Sequence, residues 1–263
     1  MKPYLSLLSA RFRVLLQYRA AAIAGFGTQL FWGLIRMMIF QAFYDSSSAP
    51  QPIGRADAVT YIWLGQAMLH LLPWNLDPDI RGMVRNGTVA YELLRPMDLY
   101  ATWYMRAVAQ RTAPTLLRSI PLFVVAGLFF GLRPPASPFA FVSWLLATAM
   151  AIALGCAFST LMNVTLVTTV SGEGIARFAS PLVYTLSGML IPVALLPSAV
   201  VPIIYALPFR GLVDTPFRAY LGQLPPGELA PALLHQIAWT LILVAAGRLL
   251  LARSVRRLVI QGG

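Results

Sequence analysis

The stretch Asn75-Leu-Asp-Pro-Asp-Ile-Arg-Gly-Met-Val-Arg-Asn-Gly-Thr-Val-Ala-Tyr-Glu-Leu-Leu-Arg-Pro-Met-Asp98 is the polar island of an otherwise apolar chain. Its Asp77-Pro78-Asp79 triplet predicts a helix start. The Asp77 carboxylate caps open N–H groups, Pro78 lacks an N–H that the first turn does not need, and Asp79 faces the positive helix end. Gly87 is placed to end the helix. Ile80 and Val84 lie four apart, as do Arg81 and Arg85, so the helix carries neighbouring apolar and basic surfaces. Such a piece suits docking across a surface rather than crossing a bilayer. An ordinary loop tied down by lipid headgroups and its own charges fits the same pattern.

Around this island the chain is 58% hydrophobic and 11% charged, with a mean hydropathy of +0.71. That is more apolar sequence than one water-soluble core of 263 residues needs, and it predicts an all-α polytopic membrane protein. A single cysteine, Cys156, excludes an internal disulfide framework. The N-terminal stretch resembles a secretory signal, but Arg11, Arg13 and Arg19 interrupt it, and it is expected to be retained.

Six spans are expected. Tyr4 to Tyr18 sets Leu5, Leu8, Phe12, Leu15 and Leu16 on one stripe among basic residues, which predicts an interfacial helix rather than a span. The first crossing is Ala20 to Tyr44, with Arg36 needing to snorkel or to meet a polar partner. The second runs from near Val59 to Trp74, and Leu99 to Arg111 is a basic amphipathic stretch ahead of a third from Ala113 to Leu132. The fourth is Phe139 to about Val170, and Ser171 to Gly174 is a connection. The fifth, about Ile175 to Leu196, is punctuated by Pro181, Gly188 and Pro192, for which gating and simple kinks both fit. Residues 197–228 are too broken by proline to cross and read as a re-entrant or surface-lying outer element. The last span is Leu229 to Leu251.

Six crossings put both termini on one side. That side would hold fourteen basic residues and the other only Arg55, Arg133, Arg210 and Arg218. The asymmetry predicts cytoplasmic termini, and topology with anionic lipid accounts for the positive charge without nucleic acid. For chemistry the sequence offers little. His70 and His235 are far apart, Glu173 has no acid–base partner, and neither a phosphate-binding loop nor a cluster of metal ligands occurs. No catalytic residue is assigned, and energy is expected to come from outside the chain.

Three stretches carry a family resemblance: Val84-Arg-Asn-Gly-Thr-Val-Ala-Tyr-Glu-Leu-Leu-Arg-Pro-Met-Asp-Leu-Tyr100, Ser187-Gly-Met-Leu-Ile-Pro-Val-Ala-Leu-Leu-Pro197, and Arg256-Arg-Leu-Val-Ile-Gln-Gly-Gly263. With them the chain resembles the permease subunits of bacterial ABC-2 type transporters, in the subgroup described as ABC-2 family transporter protein. The resemblance implies an elbow helix within residues 1–19, a cytoplasmic coupling loop at 75–98 with its helix on Pro78 to Asn86, and an outer re-entrant region at 197–228. It implies a multi-pass protein of the bacterial inner membrane that binds no cofactor itself. ATP and Mg would sit on separate ATPase subunits, and a second permease would complete a homodimer or heterodimer. Asp77, Pro78 and Asp79 are then assigned to capping the coupling helix, and Ile80, Arg81, Val84 and Arg85 to docking the ATPase. An apolar or amphiphilic cargo is expected. The rival readings are a non-transporting scaffold that recruits a soluble protein through the same loop, and an ion-coupled carrier that needs no ATPase.

Overall fold

The computed structural model describes residues 2–169 and 173–256, all helical or in turns and loops. The expected connection at Ser171 and Gly172 and the C-terminal signature beyond Arg256 lie outside the described residues. In chain order the helices are α1 (Lys2–Leu16), α2 (Arg19–Ser46), α3 (Arg55–Ala67), α4 (Pro78–Arg85), α5 (Val89–Leu93) and α6 (Leu99–Phe129). They continue with α7 (Pro138–Thr169), α8 (Glu173–Leu186), α9 (Val201–Ala206), α10 (Asp214–Tyr220) and α11 (Pro226–Val255), joined by short 3-10 turns at Leu69–Leu71, Val193–Leu195 and Pro208–Leu212.

Four of these helices, α2, α6, α7 and α11, have 28, 31, 32 and 30 residues and are apolar enough to cross a membrane. At about 1.5 Å per residue each exceeds the roughly 30 Å of hydrocarbon. The expected second and fifth spans take shorter helical form. α3 has 13 residues and gives way to the 3-10 turn before Pro73, while α8 has 14 and stops before Gly188, whose φ is +88°. Ala58 to Ala67 are all buried, so α3 is surrounded by protein on every face and meets little lipid. Gly33 of α2 gives the Trp63 ring room, and Trp63 stacks on Phe130 and donates its indole N–H to the Phe130 carbonyl.

One expectation changes in the structure. Leu99 to Arg111 is no separate amphipathic piece but the first turns of α6, which runs unbroken through Pro114 and Pro121. Next to Pro114, the Thr112 and Thr115 hydroxyls donate to the Val108 and Arg111 carbonyls, satisfying backbone acceptors within the helix. The N-terminal helix also packs lengthwise. The Asp98 N–H donates to the Tyr4 hydroxyl at one end, and the Arg118 guanidinium lies over Gly25 and the Ala21 carbonyl further on. Residues along α1–α2 thus keep step with residues along α6, so the two run side by side.

Arg36 does find polar partners. Its guanidinium is buried and donates to the carbonyls of Met189 and Leu190, which the end of α8 leaves without helical partners. Within residues 197–228, Leu212, Val213, Phe217 and Tyr220 pack in one cluster with Leu154 and Ala157 of α7. Phe209 packs on Phe158 of α7, and Gln236 of α11 donates to the carbonyls of Gly211 and Ala147. The segment then reaches the turn before α7, where the Ala136 N–H donates to the Tyr220 carbonyl and the Tyr220 hydroxyl donates to the Arg133 carbonyl.

Candidate functional site at the 75–98 loop

Asp77 has extended backbone geometry, and its Oδ1 accepts from the N–H groups of Asp79 at 2.9 Å and Ile80 at 3.3 Å. Pro78 opens α4, and Gly87, at φ +70°, follows its C-terminal end. The capping geometry is therefore the one written in the local sequence. Its surroundings are not local. The Asp77 N–H donates to Asn163 Oδ1 of α7 at 3.0 Å, and Asp77 Oδ2 lies 3.4 Å from Arg106 Nε of α6. Arg106 Nη2 also donates to Asp79 at 3.1 Å, and Arg11 of α1 pairs with both carboxylates, hydrogen-bonding Asp79. That hydrogen bond from Arg11 holds the Asp79 carboxyl below its ordinary range, helped by the charges of Arg11 and Arg106 and opposed by partial burial.

The clamp extends along the loop. Glu92, buried on α5, accepts from Trp103 Nε1 at 3.1 Å, lies 4.0 Å from Arg106 and pairs with Arg95 at 3.6 Å. Asp98 caps α6 through the Ala101 N–H and accepts from Arg248 of α11, whose guanidinium covers the Tyr100 ring. Arg111, fully enclosed, donates to the Leu72 and Asn75 carbonyls and to the Ser159 hydroxyl, so it ties the start of the loop to α7. The loop is thus held by α1, α6, α7 and α11 together.

The side chains assigned to docking divide. Ile80 is fully buried in a cluster with Val89, Leu99, Trp103, Val164 and Leu251, so it anchors α4 to its own chain and is unavailable to a partner. This corrects its assignment as a docking residue, because the apolar face of α4 meets α6, α7 and α11. Val84 is half-buried beside the same cluster. Arg85 is exposed at the end of α4, and Arg81 lines an open cavity of about 670 Å³ with Trp74, Gln110 and Arg177. The exposed apolar side chains of the loop are elsewhere. Tyr91 is 69% and Leu94 80% exposed, on the outer side of α5, whose inner side Val89 and Glu92 fix.

Pro181 lies exposed within α8, while Gly188 and Pro192 border the stretch that Arg36 holds. The Ser187 carbonyl accepts from the Asp214 N–H, joining this break to α10. Sequence reasoning missed Arg11, Glu92, Arg106, Arg111 and Asn163. A signal for Arg106 was present: Leu99, Trp103 and Arg106 share the i, i+4, i+7 stripe of α6, and a basic residue on a buried stripe requires a partner. Among the described residues, no three His, Cys, Asp or Glu side chains group closely enough to hold a metal ion.

The arrangement is that of a polytopic helical membrane protein whose polar loop is bolted to several spans. Residues 30–262 match the family described as ABC-2 family transporter protein. The chain belongs to that family and is a membrane component of an ABC-2 type transporter, with no ATP-binding motif of its own. No curated protein matches the chain.

Proposed function

We propose that the chain is the permease subunit of an ATP-driven exporter in the bacterial inner membrane, with both termini cytoplasmic. Separate ATPase subunits carrying ATP and Mg dock on the 75–98 loop, and a second permease, identical or homologous, completes the channel. The observation that carries this reading is the joining of Asp77 and Asp79 to α1, α6 and α7 through Arg11, Arg106 and Asn163. A push on the loop moves several spans together rather than bending a loose connection. The cargo is apolar or amphiphilic. Supporting this, a groove of about 390 Å³ between α7 and α8 is walled by Phe158, Leu161, Phe178, Leu182 and Phe209. The Ser187–Pro192 break beside Arg36 is the gate, and residues 197–228 form the outer re-entrant element.

In this reading the partner contact includes Tyr91 and Leu94 with Arg81 and Arg85 on its flank. Tyr91→Asp combined with Leu94→Asp is expected to leave membrane insertion intact, because both side chains are exposed. It should weaken ATPase association by about thirtyfold, on the order of 2 kcal/mol, as for buried aromatic anchors of an interface. Co-purification and cargo-stimulated ATP hydrolysis measure it. Retained association with transport that never depended on ATP would favour the ion-coupled carrier, and association without any transport would favour the scaffold.

Orientation has its own test. Single cysteines at Ser48 and Ser137, both exposed, are expected to react with an impermeant thiol reagent on intact cells, and one at Thr88 only after lysis. The native Cys156 is buried and gives little background. External labelling at Thr88 in sealed cells would reverse the topology.

A further inference from the structure

At the end of the bundle opposite the 75–98 loop, α2, α3 and the end of α6 enclose a cleft of about 450 Å³. Its walls include Met37, Val59 and Phe129, and its polar lining includes Gln41, Arg55 and Arg133. Phe129 is 73% exposed, as are 63% of Met38 and 59% of Ile39 on the adjoining stretch of α2. The cleft therefore sits where a lipid-facing apolar surface meets two guanidinium groups.

Those two groups differ. Arg55 already pairs with Asp45 at 2.5 Å. Arg133 has its backbone fastened at both ends, its N–H donating to the Thr60 hydroxyl and its carbonyl accepting from Tyr220. Its guanidinium makes no hydrogen bond or ion pair among the described residues. The other two basic residues of this side are engaged: Arg210 lies over the Tyr205 ring, and Arg218 donates to the Tyr205 hydroxyl and the Gln223 carbonyl. Basic residues are scarce on the outer side of a membrane protein. Two of the four nevertheless line one cleft, and Asp45 pairs with only one of them, Arg55.

We infer that this cleft binds the phosphate headgroup of an anionic membrane lipid, with Arg133 as the principal contact and the acyl chains descending along Phe129, Met38 and Ile39. A guanidinium offers paired N–H donors that fit a phosphate, and the Gln41 amide adds a neutral donor. The apolar walls favour a lipid over a soluble anion, which gains nothing from Met37, Val59 or Phe129. Assignment to the outer leaflet rests on the orientation proposed above; the binding itself does not.

The test uses the purified full-length chain, without ATPase or cargo, titrated with phosphatidylglycerol or phosphatidylcholine in mixed micelles and read by native mass spectrometry. Arg133→Gln is expected to weaken phosphatidylglycerol binding about fivefold, the usual worth of one basic side chain near an anionic lipid surface. Arg133→Lys should retain most of it, and phosphatidylcholine binding should change little. Excess inorganic phosphate should not displace the lipid. Equal phosphatidylglycerol binding by wild type and Arg133→Gln would overturn the site, and full displacement by inorganic phosphate would make it an aqueous anion site instead. Because no transport is measured, failure here leaves the exporter reading standing, and failure of that reading leaves this result unchanged.

Discussion

Arg106→Ala is expected to cost the folded protein about 3–5 kcal/mol, the range for removing one partner of a buried ion pair. The side chain is 9% exposed, and it faces Asp77, itself 4% exposed, together with Asp79 and Glu92. Without it, Asp77 keeps its two capping N–H groups and a more distant Arg11 at 3.8 Å, and Glu92 keeps Trp103 and Arg95. Three acidic groups then share too little positive charge in a partly enclosed space. Arg106→Lys should lose less, because charge is kept while the fork that reaches two carboxylates is lost. Arg95→Ala is the comparison: its side chain is 64% exposed and its pair with Glu92 should contribute about 0–1 kcal/mol. Thermal unfolding of the detergent-solubilised protein measures all three. Equal midpoints for Arg106→Ala and Arg95→Ala would show that the clamp does not hold the loop. Where Arg106→Ala still folds, ATPase stimulation should fall further than association, because the loop is present but no longer fastened to α6.

Gly188→Val is expected to have a comparable effect by a different route. Gly188 has φ +88°, a conformation that costs a β-branched residue about 1–2 kcal/mol or more. A Cβ there would also meet the Tyr61 hydroxyl at 2.6 Å and Val193 at 3.1 Å, in a place where Tyr61, Met189 and Val193 are all buried. The chain cannot relieve one strain without disturbing the carbonyls that Arg36 holds. A combined loss of about 3 kcal/mol or more should appear as poor recovery of monodisperse protein after extraction. Gly82→Ala is the control. A Cβ at Gly82 meets nothing within 4 Å, and in the interior of α4 the change should be neutral or stabilising by about 0.5–1 kcal/mol. Equal recovery of the Gly188 and Gly82 variants would mean that the break after α8 relaxes freely.

Both predictions concern places where the tertiary structure supplied the partners. The carbonyls of Met189 and Leu190 are free because α8 ends before Gly188, and a glycine with prolines nearby hints at such an end. That the donor is Arg36, more than 150 positions away, has no local signature. Arg36 alone reads as a costly charge within a span, and Arg118 of α6 likewise finds its partner far along the chain, meeting His70 at 2.6 Å. An intramembrane arginine announces that a polar partner exists and leaves its identity open.

By itself the sequence determined the class of the protein, the long spans near α2, α6, α7 and α11, and the capped helix that begins at Asp77. These follow from hydropathy over twenty residues and from side chains bonding backbone two or three positions away, which are properties of short windows. Only the tertiary structure decided that Ile80 turns inward while Tyr91 and Leu94 remain outside, that α1 runs along α6, and that Arg106 joins the loop to the bundle. The apolar stripe of a short helix specifies that it will be covered. Whether protein, lipid or a partner covers it depends on which distant helices pack beside it, and that choice is made by the shape and charge of the whole bundle.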